Sequence, residues 1–175
     1  MIVLRILHIG SAVFWAGATF FFVSFLEPAV RKSGPEGGKV MQTLSASRYP
    51  VALPIIVVLT VVSGLLMYWR DSGGLQMVWI TSGFGLGITF GAVMGLIAAA
   101  IGIAIPRSAT ARMAMISKEI QAQGAPPTPA QMAEMKKQSE RLAQGALWTA
   151  VFLSLAVLGM SAAEYLAFLE SAKLI

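Results

Sequence analysis

Four stretches of the chain are nearly unbroken in apolar residues, and shorter stretches rich in charge, glycine and proline separate them. The first runs from about Ile2 to Leu26, with Arg5 and His8 its only ionisable positions. The second covers residues 50–69, the third 78–105 and the fourth 146–169. A helix needs roughly 20 apolar residues to cross the ~30 Å hydrocarbon core of a bilayer. These stretches are too long for strands and too continuous for amphipathic surface helices. In lipid, only a helix satisfies its own backbone hydrogen bonds within one segment. The pattern therefore predicts an all-α integral membrane protein, a bundle of four transmembrane helices forming a single membrane domain over residues 1–175. The first stretch exceeds the ~7–15 apolar residues of a signal-peptide core and leads into more membrane, so it is expected to be retained.

The segment between the third and fourth spans, residues 107–145, has a helical pattern of its own. Residues Arg112 to Gln123 suit a helix, and Gly124-Ala-Pro-Pro-Thr-Pro129 breaks it. Thr128 then reads as an N-cap, with Pro129 at the first helical position and Gln131 three residues on from the cap. Met132, Met135, Leu142 and Ala146 recur at helical spacing, and Lys136 precedes Glu140 by one turn. One long helix is expected to rise from this helical hairpin into the fourth span.

Composition agrees with a membrane setting. Hydrophobic residues make up 57% of the chain and charged residues 12%, against roughly 25% charged in an average soluble domain. The mean hydropathy is +0.75. The net charge of +5 does not point to nucleic acid, because the basic residues flank the apolar spans rather than forming a face. Ten of the 13 Lys and Arg residues lie in the two long loops, after spans one and three. Only Arg5, Arg70 and Lys173 lie on the other side. The positive-inside rule then places both termini outside and the 107–145 hairpin in the cytoplasm.

Chemistry-bearing residues are few. There is no cysteine and one histidine, which excludes disulfides, thiolate metal sites and a multi-histidine metal site within one chain. Phosphate loops, paired catalytic carboxylates and a nucleophile with its base are missing, so the sequence leaves open whether the protein is an enzyme. His8 sits about two turns into the first span, where an ionisable residue marks a functional candidate and where an imidazole could bind haem iron. Trp15, seven residues on, shares its face. Gly83, Gly87, Gly91 and Gly95 recur every fourth residue along the third span. They form a bare stripe suited to close helix packing, to self-association, or to a planar ligand such as a porphyrin. Glu164 near the end of the fourth span shares a membrane side with Arg5 and His8, as an ion pair with Arg5 or a proton relay with His8. Met113, Met115, Met132 and Met135 are either packing residues of the hairpin or soft ligands for Cu(I).

The stretch Leu7-His8-Ile9-Gly10 followed by Trp15-Ala16-Gly17 resembles the first helix of a group of small bacterial membrane proteins. That group includes the membrane domain of the copper-resistance protein CopD, its four-helix relatives, and the HemJ type of protoporphyrinogen oxidase. Arg48, Pro54 and the run Val58-Leu-Thr-Val-Val-Ser-Gly64 look like the second helix of the HemJ pattern. The resemblance covers about the first 70 residues. It implies a bacterial inner-membrane protein that binds haem b through the His8 iron bond and has a redox or haem-handling role. Trp15, Gly87 and Gly91 would then line the cofactor, and Met67, Met160 or the histidine of a second copy would supply a second ligand. Two other readings stay open. One is a non-catalytic accessory subunit that joins a homo-oligomer or larger membrane complex through the glycine stripe. The other is a small proton-coupled transporter using His8 and Glu164.

Overall fold

A computed structural model of the chain describes residues 1–172; Lys173, one of the three basic residues on the less basic side, lies outside the described residues. The described chain is helical and contains no strand. Its order is α1 (Ile2–Phe21), a π-helical turn (Phe22–Leu26), α2 (Glu27–Lys32), α3 (Pro35–Ala46), α4 (Tyr49–Asp71), α5 (Met77–Ile80), α6 (Gly83–Gln123) and α7 (Pro129–Ser171). Four of the helical runs, Ile2–Lys32, Tyr49–Asp71, Gly83–Gln123 and Pro129–Ser171, are long and apolar enough to cross a membrane. They correspond to the four stretches read from the sequence.

The boundaries differ in instructive ways. The third span was expected from residue 78, but Met77–Ile80 form a separate short helix and α6 begins at Gly83. Ser82 stops the earlier turn: its side chain accepts a hydrogen bond from the Gly85 amide, so it caps α6. At the other end α6 does not stop near residue 105. It continues through Pro106 to Gln123 and closes on Gly124 in the left-handed conformation, φ 59°, which glycine adopts without steric cost. α7 opens on the capping box expected from the sequence, Thr128 and Gln131 each bonding the other's backbone N–H. It then runs unbroken for 43 residues. The Lys136–Glu140 pair forms at 3.9 Å. α3, in the first long loop, has no counterpart in the expected elements.

α6 and α7 pack together most extensively, followed by α1 with α4. All four spans meet at one cluster: Trp15 from α1, Val57 from α4, Ala98 and Ala99 from α6, and Leu153 from α7. Elsewhere small residues such as Ala109, Ala150, Ala156 and Ala163 are buried, with Ile116 the one large side chain fully buried among the described residues, while others such as Ile6, Val13, Phe25, Ile55 and Leu158 point outward. This is the arrangement lipid favours. Hydrocarbon solvates large apolar side chains as well as a protein core does, so helices associate where small residues let their backbones approach.

Candidate functional site

The α1–α4 interface carries a group of polar side chains within apolar spans. His8, Ser11 and Trp15 follow the i, i+3, i+7 spacing that puts them on one face of α1. Opposite them α4 presents Thr60, Ser63 and Gly64. The Nδ1 of His8 lies 2.9 Å from the Thr60 carbonyl oxygen. A carbonyl can only accept, so Nδ1 carries the proton, and in the neutral ring the lone pair belongs to Nε2. The Thr60 hydroxyl lies 2.8 Å from the Ser11 hydroxyl and 2.9 Å from the Ile56 carbonyl. Ser63 also reaches the Thr60 carbonyl, at 3.2 Å.

Gly64 makes this possible. A Cβ at that position would stand 2.8 Å from His8 Cε1 and 3.0 Å from Nδ1, closer than van der Waals contact allows. The imidazole therefore lies across bare α4 backbone, held by the carbonyl on one side of its ring. Nε2 takes no hydrogen bond among the described residues and is not sealed from its surroundings. A histidine bound at Nδ1 by a backbone carbonyl and open at Nε2 has the arrangement commonly seen in metal-ligating histidines, where the carbonyl fixes tautomer and ring orientation.

The other candidate residues are not gathered around it. Trp15 shares the histidine's face but is 3% exposed and packs into the four-helix cluster rather than lining a ligand space. The glycine stripe faces α7. A Cβ on Gly87 would lie 2.8 Å from Ala163 Cα, and one on Gly91 2.5 Å from Met160 Cγ and 2.8 Å from the Ala156 carbonyl oxygen. The face expected to receive a planar ligand or another subunit at Gly87 and Gly91 is covered by the chain's own last helix. Close approach of two glycine- and alanine-rich surfaces leaves no slot there. Met160 is part of that contact. Arg5 and Glu164 are both exposed and form no ion pair among the described residues, so the pairing considered from sequence is not made. No group of three or more His, Asp or Glu side chains suited to a metal ion occurs among the described residues.

One long-range contact was not legible in the sequence. The Glu170 carboxylate of α7 accepts the Gly83 amide at 2.6 Å, placing a negative charge on the N-terminus of α6. Ser82 could be read as a cap from its place before a helical pattern. A carboxylate 87 residues away carries no local signal.

Against family models, curated proteins and solved structures, the chain gives no match. The site's own geometry must therefore carry the functional reading.

Proposed function

We infer that the protein is a haem b-binding integral membrane protein, with Nε2 of His8 as the axial ligand of the iron and a redox or haem-handling role. The supporting observation is the His8 ring itself: Nδ1 donates to the Thr60 carbonyl at 2.9 Å, leaving the metal-binding nitrogen free. His8 would hold the iron by one bond, at the interface of α1 and α4 rather than along Gly87 and Gly91, which face α7. Iron would supply one-electron or ligand-exchange chemistry when bound. The chain's own contribution is to set the tautomer through Thr60, to seat the ring on Gly64, and to surround the imidazole with apolar spans. The likeness of the first helix to the CopD and HemJ group points the same way. In this reading the protein sits in a bacterial inner membrane with both termini outside and the α6–α7 extension in the cytoplasm. A second ligand, where the iron takes one, would come from Met67, Met160 or His8 of a second copy.

The test is the absorption spectrum of the full chain purified from cells supplied with haem. A Soret band that His8→Ala removes, with the protein still inserted in the membrane, is the expected result. The band position and spin state then separate one histidine from two. Wild-type protein free of haem under these conditions overturns the reading.

A further inference from the structure

At the opposite end of α1 from His8's end of the span, the apolar run gives way to Glu27 and Pro28. Proline has no N–H, and its ring crowds the carbonyl four residues back, here Ser24. The backbone responds by widening: Phe22–Leu26 form a π-helical turn, and the Glu27 amide bonds the Phe22 carbonyl five residues earlier. Such a turn adds one residue to the helix and rotates everything beyond it by about 100°, one residue's share of a 3.6-residue turn. That rotation brings Glu27 and Arg31 beside α7. There they line a cleft of about 300 Å³, the low end of the ~300–1,000 Å³ usual for ligand sites. Apolar Phe22, Val23, Ala143 and Leu147 and polar Glu27, Arg31 and Gln144 line it together.

The two charges are only loosely paired. Arg31 Nε lies 3.9 Å from Glu27 Oε1, well beyond the ~2.7–2.9 Å of a charge-assisted hydrogen bond. Both therefore keep bonding capacity for a further partner, and both line the cleft. Leu26 ends the apolar stretch of the first span and Ala146 begins that of the fourth, so the cleft straddles the level where hydrocarbon meets the headgroup layer.

We propose that this cleft binds a zwitterionic phospholipid whose headgroup ends in a primary ammonium, that is, a phosphatidylethanolamine. The ammonium donates to the Glu27 carboxylate, the phosphate accepts from the Arg31 guanidinium and the Gln144 amide, and the upper acyl chain lies on Phe22, Val23 and Leu147. Charge complementarity selects this occupant. A phosphatidylglycerol offers Glu27 only neutral hydroxyl donors, and a phosphatidylcholine carries a cation without an N–H to donate. The proposal does not depend on haem binding at His8.

Full-length protein in nanodiscs of equal parts phosphatidylethanolamine, phosphatidylglycerol and phosphatidylcholine, released and weighed by native mass spectrometry, tests it. The wild type should retain phosphatidylethanolamine in preference to the other two. Glu27→Gln should lower that retention roughly fivefold to tenfold, the worth of one charge-assisted hydrogen bond at a part-exposed site, and erase the preference. Leu147→Trp, at a half-exposed position where the larger ring fits without disturbing the core, should block retention of all three. Equal retention of phosphatidylethanolamine and phosphatidylglycerol by the wild type, or unchanged preference in Glu27→Gln, overturns the proposal.

Discussion

The α6–α7 pair and the α1–α4 pair solve the same problem, holding two helices together in lipid, by different means. Between α6 and α7 the contact is almost bare backbone. Gly87 faces Ala163, Gly91 faces Ala156 and Met160, and Gly159 faces Phe90 and Gly91. Dispersion at close range holds such an interface, and at Gly87, Gly91 and Gly159 it leaves no room for added atoms. Between α1 and α4 there is a single bare spot, Gly64, and it accommodates an imidazole rather than a helix. The rest of that interface is hydrogen-bonded through Ser11, Thr60 and Ser63. The glycine contact around Gly87 and Gly91 brings no polar side chain to a ligand; the polar pair presents Nε2 of His8. A stripe of glycines in a membrane helix thus signals close approach without signalling a site. The proposed site lies where one glycine, Gly64, meets one imidazole, His8.

The sharpest break in this contrast should come from Gly91→Leu. Its first added atom already lies 2.5 Å from Met160 Cγ, and forcing bulk into a packed interface costs about 1–3 kcal/mol or more. Unfolding in mixed detergent should show that loss; unchanged stability would mean that α6 and α7 do not pack as described. Gly64→Ala should come next. The new methyl displaces His8 from the Thr60 carbonyl, a loss of about 1 kcal/mol for the hydrogen bond. Its distinguishing sign is that any cofactor or imidazole signal at His8 shifts or disappears while α6 and α7 stay intact. Stability loss in Gly64→Ala equal to that of Gly91→Leu would erase the distinction between the two interfaces.

Glu170→Gln should have a smaller effect. It keeps an acceptor for the Gly83 amide but removes the charge from the start of α6, about 0.5 kcal/mol at an exposed helix end. Amide exchange in the first turn of α6 should quicken, with the rest of the bundle unchanged. The smallest effect belongs to Gly95→Ala, and its sign should be opposite. A Cβ there meets only the Ala156 methyl at 4.0 Å, ordinary contact, while alanine is favoured over glycine in a helix by up to about 1 kcal/mol. A destabilised Gly95→Ala would show that the whole stripe, rather than its first three glycines, is closed by α7.

Some of this was legible in the residues. The four spans follow from hydropathy because the cost of an unsatisfied backbone group in lipid applies to each segment alone. The cap at Thr128 and Gln131 is a contact over three residues, and it appears as read. His8 stood out as the only imidazole within an apolar span. Its partners did not, since Thr60 and Ser63 look like ordinary span residues until α4 is laid against α1. The glycine stripe was visible in full, but the sequence offered three occupants for it and no means of choosing.

What the sequence by itself determined is which segments are helical and apolar enough to span, where α7 begins, and that one titratable ring lies within the first span. Each of these depends on residues near one another in the chain. Only the tertiary structure decided that α7 covers Gly87 and Gly91, that Glu170 caps α6, and that Gly64 and Thr60 position His8. Those contacts join residues 52 to 87 positions apart. They arise when small residues on separate helices meet in a solvent that does not itself drive the helices together.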